Sequence, residues 1–465
     1  MRAVPININY RYLEEELSYL FDDADLVAVV YHRELRPRIV ATGRIVERQR
    51  VLIEVDGDSA DDDSVPAEGT HKYPDVVSSG SVLRDFAARS GDDHYILYTG
   101  GTTGLPKGVL WRQEDIFFVT LGAGNPGGPP IDTPEQIGEA ALANRSHRIG
   151  PFLPPGDPGP EEFVSLALGP LMHASGQWSA LGTLLGGGKV VLYPHRRMDM
   201  ARALELVERE HVSMLTMVGD TSARPLLHEL EAHRRSYDTS SLRLLGSGGS
   251  ILSGNVKDRL LAALPSVLAI SEAIGSSEAP VQGVAIARKA PEPATSLKFS
   301  GRDLTMVVGD DLLPVEPGSG QVGRLATKGR VPIGYYNDPE KTAQTFVEID
   351  GARWALPGDM ATVDTDGSIR LLGRGSMCIN SGGEKVYPEE VEAVLKAHPQ
   401  VADAIVVGQK DSRWGERVAA LVEPLDSGNP PSLGVLADHC RAQLAGYKVP
   451  RALLVVDRAQ RSPSG

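Results

Sequence analysis

The chain has almost no cysteine. Cys378 and Cys440 are the only two in 465 residues, which excludes a disulfide scaffold and fits a reducing compartment. It also lacks any run of about 18 or more uncharged apolar residues, the length a membrane-spanning helix needs. The nearest approach, Val164 to Tyr193, is interrupted by His173, Gln177 and Lys189. The N-terminus reaches Asn7, Asn9 and Arg11 almost at once, with no signal-peptide pattern. No Lys/Arg block offsets a net charge of −14, so broad nucleic-acid affinity is not expected and any phosphate site must be local. These absences point to a cytoplasmic protein without a transmembrane segment, with peripheral membrane contact left open. Part of the acidity, Asp56 to Asp63, reads as a solvated loop rather than a metal site.

What is present is an ordinary globular composition, 41% hydrophobic and 23% charged. The length suggests two or three domains. Apolar patterning predicts helices over 13–21, 83–89, 200–210 and 256–264. It predicts strands over 26–31, 51–55, 214–218 and 242–245. Alternation of the two kinds argues α/β architecture. Residues 122–160 are rich in Pro and Gly, a long loop of the kind that covers a pocket or an interface. Gly122-Ala123-Gly124-Asn125-Pro126-Gly127 matches a dinucleotide fingerprint formally, but no helix follows through Pro129-Pro130. A boundary falls near Gly373-Arg374, after a strand pair over 360–363 and 369–372. Beyond it, helices over 388–396 and 433–444 and strands over 404–407, 418–422 and 453–456 make a small α+β unit.

The densest signal is Tyr98-Thr99-Gly100-Gly101-Thr102-Thr103-Gly104-Leu105-Pro106-Lys107-Gly108, with four Gly, three Thr and one Lys. Successive backbone N–H groups in such a loop form an anion-binding concavity. Strands are predicted on both sides of it. Lys107 is followed by Gly108 and more apolar residues, whereas a Walker A loop continues Gly-Lys-Ser/Thr into a helix. The plain alternative is a flexible Gly/Thr hairpin.

This loop closely resembles the signature of acyl-adenylate-forming enzymes, which include acyl-CoA synthetases, adenylation domains of peptide synthetases and luciferases. Gly101 stands where the family usually has Ser. Later motifs follow in the family's order and cover essentially the whole chain. With Asn7 to Tyr12 and the run from Gly373 to Glu392, the chain is similar to actinobacterial-type acyl-CoA synthetases acting on fatty or steroid acids. The resemblance implies a large multi-subdomain adenylation core, 1–374, and a small mobile α+β C-terminal domain, 375–465. It implies ATP, Mg²⁺ and CoA (as substrate), a small carboxylic acid, and, by analogy alone, a homodimer.

Roles follow residue by residue. Thr99, Gly100, Gly101, Thr102, Thr103, Gly104 and Lys107 are expected to grip the β- and γ-phosphates. His173, in Pro170-Leu171-Met172-His173-Ala174-Ser175-Gly176, would lie beside the carboxylate; taken alone it reads more often as a hydrogen-bonded core histidine. Gly248, Gly249 and Ser250 would run along the adenine and the acyl pocket. Gly275, Ser276 and Ser277 lead to Glu278, the carboxylate for Mg²⁺, since a hard cation bridging phosphates needs one. Ile274 and Ser277 stand where the family usually has a stacking aromatic and a phosphate-binding Thr. Asp359 would accept the ribose hydroxyls, and Arg374 would contact ribose or phosphate. Ser376 occupies the hinge position, where a small residue absorbs a rotation. Ser381, Gly382 and Gly383 would pass the pantetheine arm. The acyl pocket is expected around Trp178, Val218-Gly219-Asp220 and Ser247-Gly248.

In the family several tens of residues precede Asn-Tyr-Arg, and a lysine of adenylation directly follows the motif matching Ser462-Pro463-Ser464-Gly465. The expectation is a chain shortened at both ends, slower in adenylation by on the order of 10²–10³ than one extended by that lysine. The reaction implied is acyl-AMP formation followed by displacement of AMP by CoA, with no catalytic role for either cysteine. The alternatives are an acyl-AMP ligase loading a carrier protein, and a non-catalytic nucleotide- or acyl-binding remnant.

Overall fold

The computed structural model describes residues 3–42, 50–56, 69–83, 86–99, 105–121, 133, 135–136, 153–154, 157, 159–195, 198–232, 236–250, 252–288, 298–301, 304–381, 384–411 and 414–459. The expected loop glycines and threonines at 100–104, the pair Gly382-Gly383, the final motif and most of 122–160 lie outside the described residues. So does the greater part of the acidic stretch after Asp56. The chain divides into two compact units, Met1–Asp115 with Pro332–Gln344, and Ile116–Val331 with Thr345–Gly465. Among the described residues, no helix is long and apolar enough to cross a membrane.

In the first unit, three glutamates open the helix Glu14–Asp23, complementing the positive end of its dipole. Leu13 N donates to the Glu16 carboxylate at 3.0 Å, satisfying one orphan donor at the helix entry. The helix buries Leu17, Leu20 and Phe21 in a core shared with Val29, Tyr31, Leu52, Ile96 and Tyr98. Strands Ala28–His32, Val51–Val55 and Thr70–Lys72 form a parallel sheet. His94–Thr99 and Lys107–Arg112 form an antiparallel hairpin, with Gly334–Tyr335 paired to its second strand. The helix expected over 83–89 is corrected: Leu83 and Phe86–Arg89 are not helical, and the helix is Tyr73–Ser79. Pro74 at its start and Asp75 in its first turn are favourable helix openers, and Gly80 follows its end.

The second unit is built on a thirteen-stranded sheet. Its parallel part carries Lys189–Val191, Val164–Ala167, Met214–Met217, Leu244–Gly248 and Ala269–Ile274, side by side in that order. Helices Met200–Glu210, Gly219–Glu231 and Gly254–Ala263 contribute Leu204, Val207, Leu226, Val256 and Leu260 to its main core. Asp199 caps the first of them, accepting from Ala201 N and Arg202 N. The rest of the sheet is antiparallel, runs out to an edge at Phe346–Ile349, and contains the hairpin Asp359–Val363 and Ile369–Arg374. Among the described residues after Arg374, strands between Ile379 and Val455 form a separate five-stranded sheet. Helices Pro388–Lys396 and Leu433–Arg441 pack on it through Val391, Leu395, Leu436 and Cys440.

Candidate active site

In the first unit the hairpin closes with Thr99 opposite Lys107, so the Gly/Thr loop joins two strands. The approach to the loop is pinned: Asn7 donates to the Tyr98 carbonyl at 3.2 Å and accepts from Tyr98 N at 3.1 Å. Tyr98 Oη donates to Asp23 at 2.6 Å. Lys107 Nζ lies 2.8 Å from Asp338 Oδ2 and 5.7 Å from the centre of the Tyr335 ring. Asp338 also accepts from Lys341 N at 2.9 Å, at the start of the helix Pro339–Thr345. Its bond to Lys107 holds its carboxyl below the usual range, against an opposing push from burial.

Asp338 was not visible as a partner of Lys107 in the sequence. Asp338→Asn keeps a capping side chain but discharges the tether. The expected outcome is an unchanged melting temperature and a KM for ATP raised about tenfold, the scale of re-freezing a lysine side chain. Steady-state kinetics checks this, and an unchanged KM contradicts the tether.

In the second unit, four parallel strands lead to several of the other expected residues. Val164–Ala167, Met214–Met217, Leu244–Gly248 and Ala269–Ile274 are neighbours in register, with Ala167 opposite Thr216, Met217 opposite Ser247 and Ala273 opposite Gly248. Their carboxyl ends lead to His173, Val218, Gly249 and Glu278. Ligands of open α/β sheets bind outside such carboxyl ends. His173 directly precedes the helix Ala174–Leu185, its carbonyl accepting from Gln177 N at 3.0 Å. Gly176 lets that helix approach the strand end, since a Cβ there would lie 2.4 Å from the Gly169 carbonyl. Ser247 Oγ accepts from Gly219 N at 3.2 Å, joining two of the strand ends.

The loop bearing Glu278 is tight. Ser276 and Ala279 exchange backbone hydrogen bonds, and Ser276 Oγ accepts from both Glu278 N and Ala279 N. A Cβ at Gly275 would lie 2.0 Å from the Pro280 carbonyl, so the turn requires glycine. Ser277 is buried. Ile274 is buried with Phe299, Val307 and Leu325, so the position expected to touch the base is a core residue. Asp220 accepts from Ser253 N and Oγ at 2.8 and 2.5 Å.

Asp359 and Arg374 face each other across the last hairpin, Asp359 opposite Arg374 in register and 2.8 Å apart at Oδ1 and Nε. Arg374 Nη1 also donates to the Pro357 carbonyl. Asp359 is 7% exposed, and its Oδ2 has no hydrogen-bond partner. Burial pushes its carboxyl up, Arg374 pulls it down and the charge of Glu278 pushes it up again. A buried acceptor oxygen without a donor beside a guanidinium suits a ligand bringing hydroxyl donors.

Glu389 is a half-buried carboxylate that sequence reasoning missed. Burial raises its pKa, Glu392 and Asp359 add to the rise, and its Oε2 has no hydrogen-bond partner. It sits over Gly373, where φ is +119° and a Cβ would lie 2.1 Å from Glu389 Oε2. Only glycine meets both demands. Its one sequence signal was an acidic first turn after Pro388.

No group of three or more His, Cys, Asp or Glu among the described residues is arranged to hold a metal. Lys107 belongs to the first unit; His173, Gly248, Gly249, Ser250, Gly275, Ser276, Ser277, Glu278, Asp359 and Arg374 belong to the second.

Comparison with known proteins agrees with this geometry. The medium/long-chain-fatty-acid–CoA/3-oxocholest-4-en-26-oate–CoA ligase of Mycolicibacterium smegmatis is 42% identical over 468 residues, covering all of this chain and 81% of its own. The 3-oxocholest-4-en-26-oate–CoA ligase of Rhodococcus rhodochrous is 41% identical with the same coverage. Among solved structures, the anthranilate CoA ligase AuaEII in complex with anthranoyl-AMP aligns at a TM-score of 0.77, with 22% identity, over 100% of this chain and 80% of its own. ATP-bound MatB from Rhodopseudomonas palustris aligns at 0.75, with 24% identity, over 99% and 81%. These two likenesses show the adenylation-domain fold. The AMP-binding enzyme family matches residues 1–336, and the AMP-binding enzyme C-terminal domain matches 390–465. Matches that take in most of the chain, with relatives above 40% identity along all of it, leave one assignment: the chain belongs to the AMP-binding enzyme family.

Proposed function

We propose that the protein is an ATP-dependent carboxylate–CoA ligase, acting on a medium- to long-chain fatty acid or a steroid-type acid. The observation that carries this reading is the buried Asp359 with one oxygen on Arg374 and the other free to accept a hydroxyl, within the electrostatic reach of Glu278. Relatives that ligate such acids to CoA, at 41–42% identity, support the substrate class.

The reaction proceeds in two steps. A carboxylate oxygen of the acid attacks the α-phosphorus of ATP, pyrophosphate leaves, and acyl-AMP forms. The CoA sulfur then attacks the acyl carbon, and AMP leaves with the oxygen that made the attack. Both steps bring negative charge together, so positioned cations and donors carry the catalysis. Lys107 and the Gly/Thr loop hold the phosphates. Glu278 would hold Mg²⁺, which would supply charge neutralisation for the phosphates. Asp359 and Arg374 orient the ribose, Gly248, Gly249 and Ser250 border the base, and His173 meets the carboxylate. Ser381, Gly382 and Gly383 admit the pantetheine arm. The mobile domain begins at residue 375, and Ser376, in the short turn Gly375–Met377, is its pivot. The reaction draws on ATP and CoA, a supply that the cytoplasm offers.

Mass spectrometry of mixtures containing ATP, Mg²⁺, CoA and a panel of fatty, aryl and steroid acids tests this. Acyl-CoA from fatty or steroid acids is the expected product; none from any acid removes the reading.

A further inference from the structure

Lys396 ends the helix Pro388–Lys396 and is 4% exposed. Its ammonium is surrounded by three carboxylates, Asp403 at 3.4 Å, Glu392 at 3.6 Å and Asp220 at 3.7 Å. Glu392 and Asp403 belong to the same C-terminal segment as Lys396. Asp220 lies on the helix Gly219–Glu231, beside the large sheet. A second contact follows the same line: Asn255 Nδ2, in the first turn of the helix Gly254–Ala263, donates to the Lys396 carbonyl at 3.2 Å. That carbonyl is one of those a helix leaves unpaired at its C-terminus.

The arrangement differs from an ordinary buried ion pair. Breaking such a pair normally strands a charge, at a cost of about 3–5 kcal/mol. Here each side keeps its own compensation. Asp220 retains Arg224 at 3.1 Å and both donors of Ser253. Lys396 retains Glu392 and Asp403, whose carboxylates also accept from Val406 N at 2.9 Å and Ala404 N at 2.7 Å. The nearby Lys257 is committed to Glu272 at 2.5 Å. The contact between Lys396 and Asp220 is therefore separable without stranding a charge on either side.

We propose that Lys396, with Asp220 and Asn255, is a detachable latch that holds the C-terminal segment on the large sheet's helices in the orientation described, and so sets the balance between the two half-reactions. This rests on the two-step function proposed above. Lys396 acts as a positioning residue; it touches neither substrate nor reacting atoms.

The test uses Asn255→Ala, which removes one hydrogen bond, and Asp220→Asn, which removes the attracting charge. Two rates are measured for each: pyrophosphate exchange driven by the acid, and conversion of supplied acyl-AMP by CoA. The expected result is a five- to tenfold change in their ratio, one rate rising while the other falls, with the melting temperature of Asn255→Ala unchanged. Cleavage by protease within Gly375–Met377 should accelerate in the same variants. Parallel loss of both rates, or an unchanged ratio and cleavage rate, overturns the latch. If the parent protein performs neither half-reaction, the functional reading falls, and the cleavage rates alone decide the latch.

Discussion

Glu278→Gln lowers the rate of acyl-adenylate formation by about 10²–10³, the scale of losing one electrostatic contributor to a transition state, and leaves the melting temperature at or above that of the parent. The loss follows from the charge. Glu278 emerges at the carboxyl end of Ala269–Ile274 on a loop stitched by Ser276, so the amide sits where the carboxylate did. What disappears is the negative charge proposed above to hold the cation. The effect on stability follows from Asp359, whose carboxyl the Glu278 charge pushes up. Neutralising Glu278 removes that repulsion. Pyrophosphate exchange and thermal melting in parallel check both halves. Exchange within threefold of the parent contradicts the assignment.

Asp359→Asn separates binding from stability more sharply. The ribose loses an ionised acceptor, and hydrogen bonds to charged groups contribute about 1.5–3 kcal/mol, so nucleotide binding weakens by about 10- to 100-fold. Stability moves the other way. The folded carboxyl keeps its proton to a higher pH than the unfolded one, whose ordinary value is 3.8. As pH rises from that value through the raised folded one, the unfolded state releases its proton first and stability is lost. Above the folded value the chain carries the full penalty, and the asparagine variant does not. The variant is expected to melt higher than the parent at pH 7–8, with the advantage shrinking as pH falls toward 4. Melting curves across this range, with nucleotide titration by calorimetry, test it. A variant that melts lower at neutral pH shows that the Arg374 pairing outweighs burial.

Both expectations rest on residues readable from sequence, because local pattern carried them. The hairpin around the Gly/Thr loop follows from two apolar runs beside a glycine cluster, and Pro388–Lys396 follows from a proline at its start and apolar residues at helical spacing. Where local signals competed, the reading failed. The helix expected over 83–89 had an apolar pattern, but Pro74, Asp75 and Gly80 framed the helix Tyr73–Ser79. Partners separated by long stretches of chain left no local trace. Asp338 lies 231 residues from Lys107, and Lys396 meets Asp220 only because two sheets bring their helices together. Nor did the sequence show that Asp220, in the first turn of Gly219–Glu231, accepts from Ser253.

The shared claim beneath these expectations is that the acid's own oxygen ends on AMP. Acid labelled with ¹⁸O in the carboxylate, incubated with the protein, ATP, Mg²⁺ and CoA, tests this most directly. One labelled oxygen in the phosphate of AMP, in step with acyl-CoA formed, is the predicted result. Label in inorganic phosphate, or acyl-CoA formed with unlabelled AMP, contradicts an acyl-adenylate and with it the roles given to Glu278, Asp359 and Arg374.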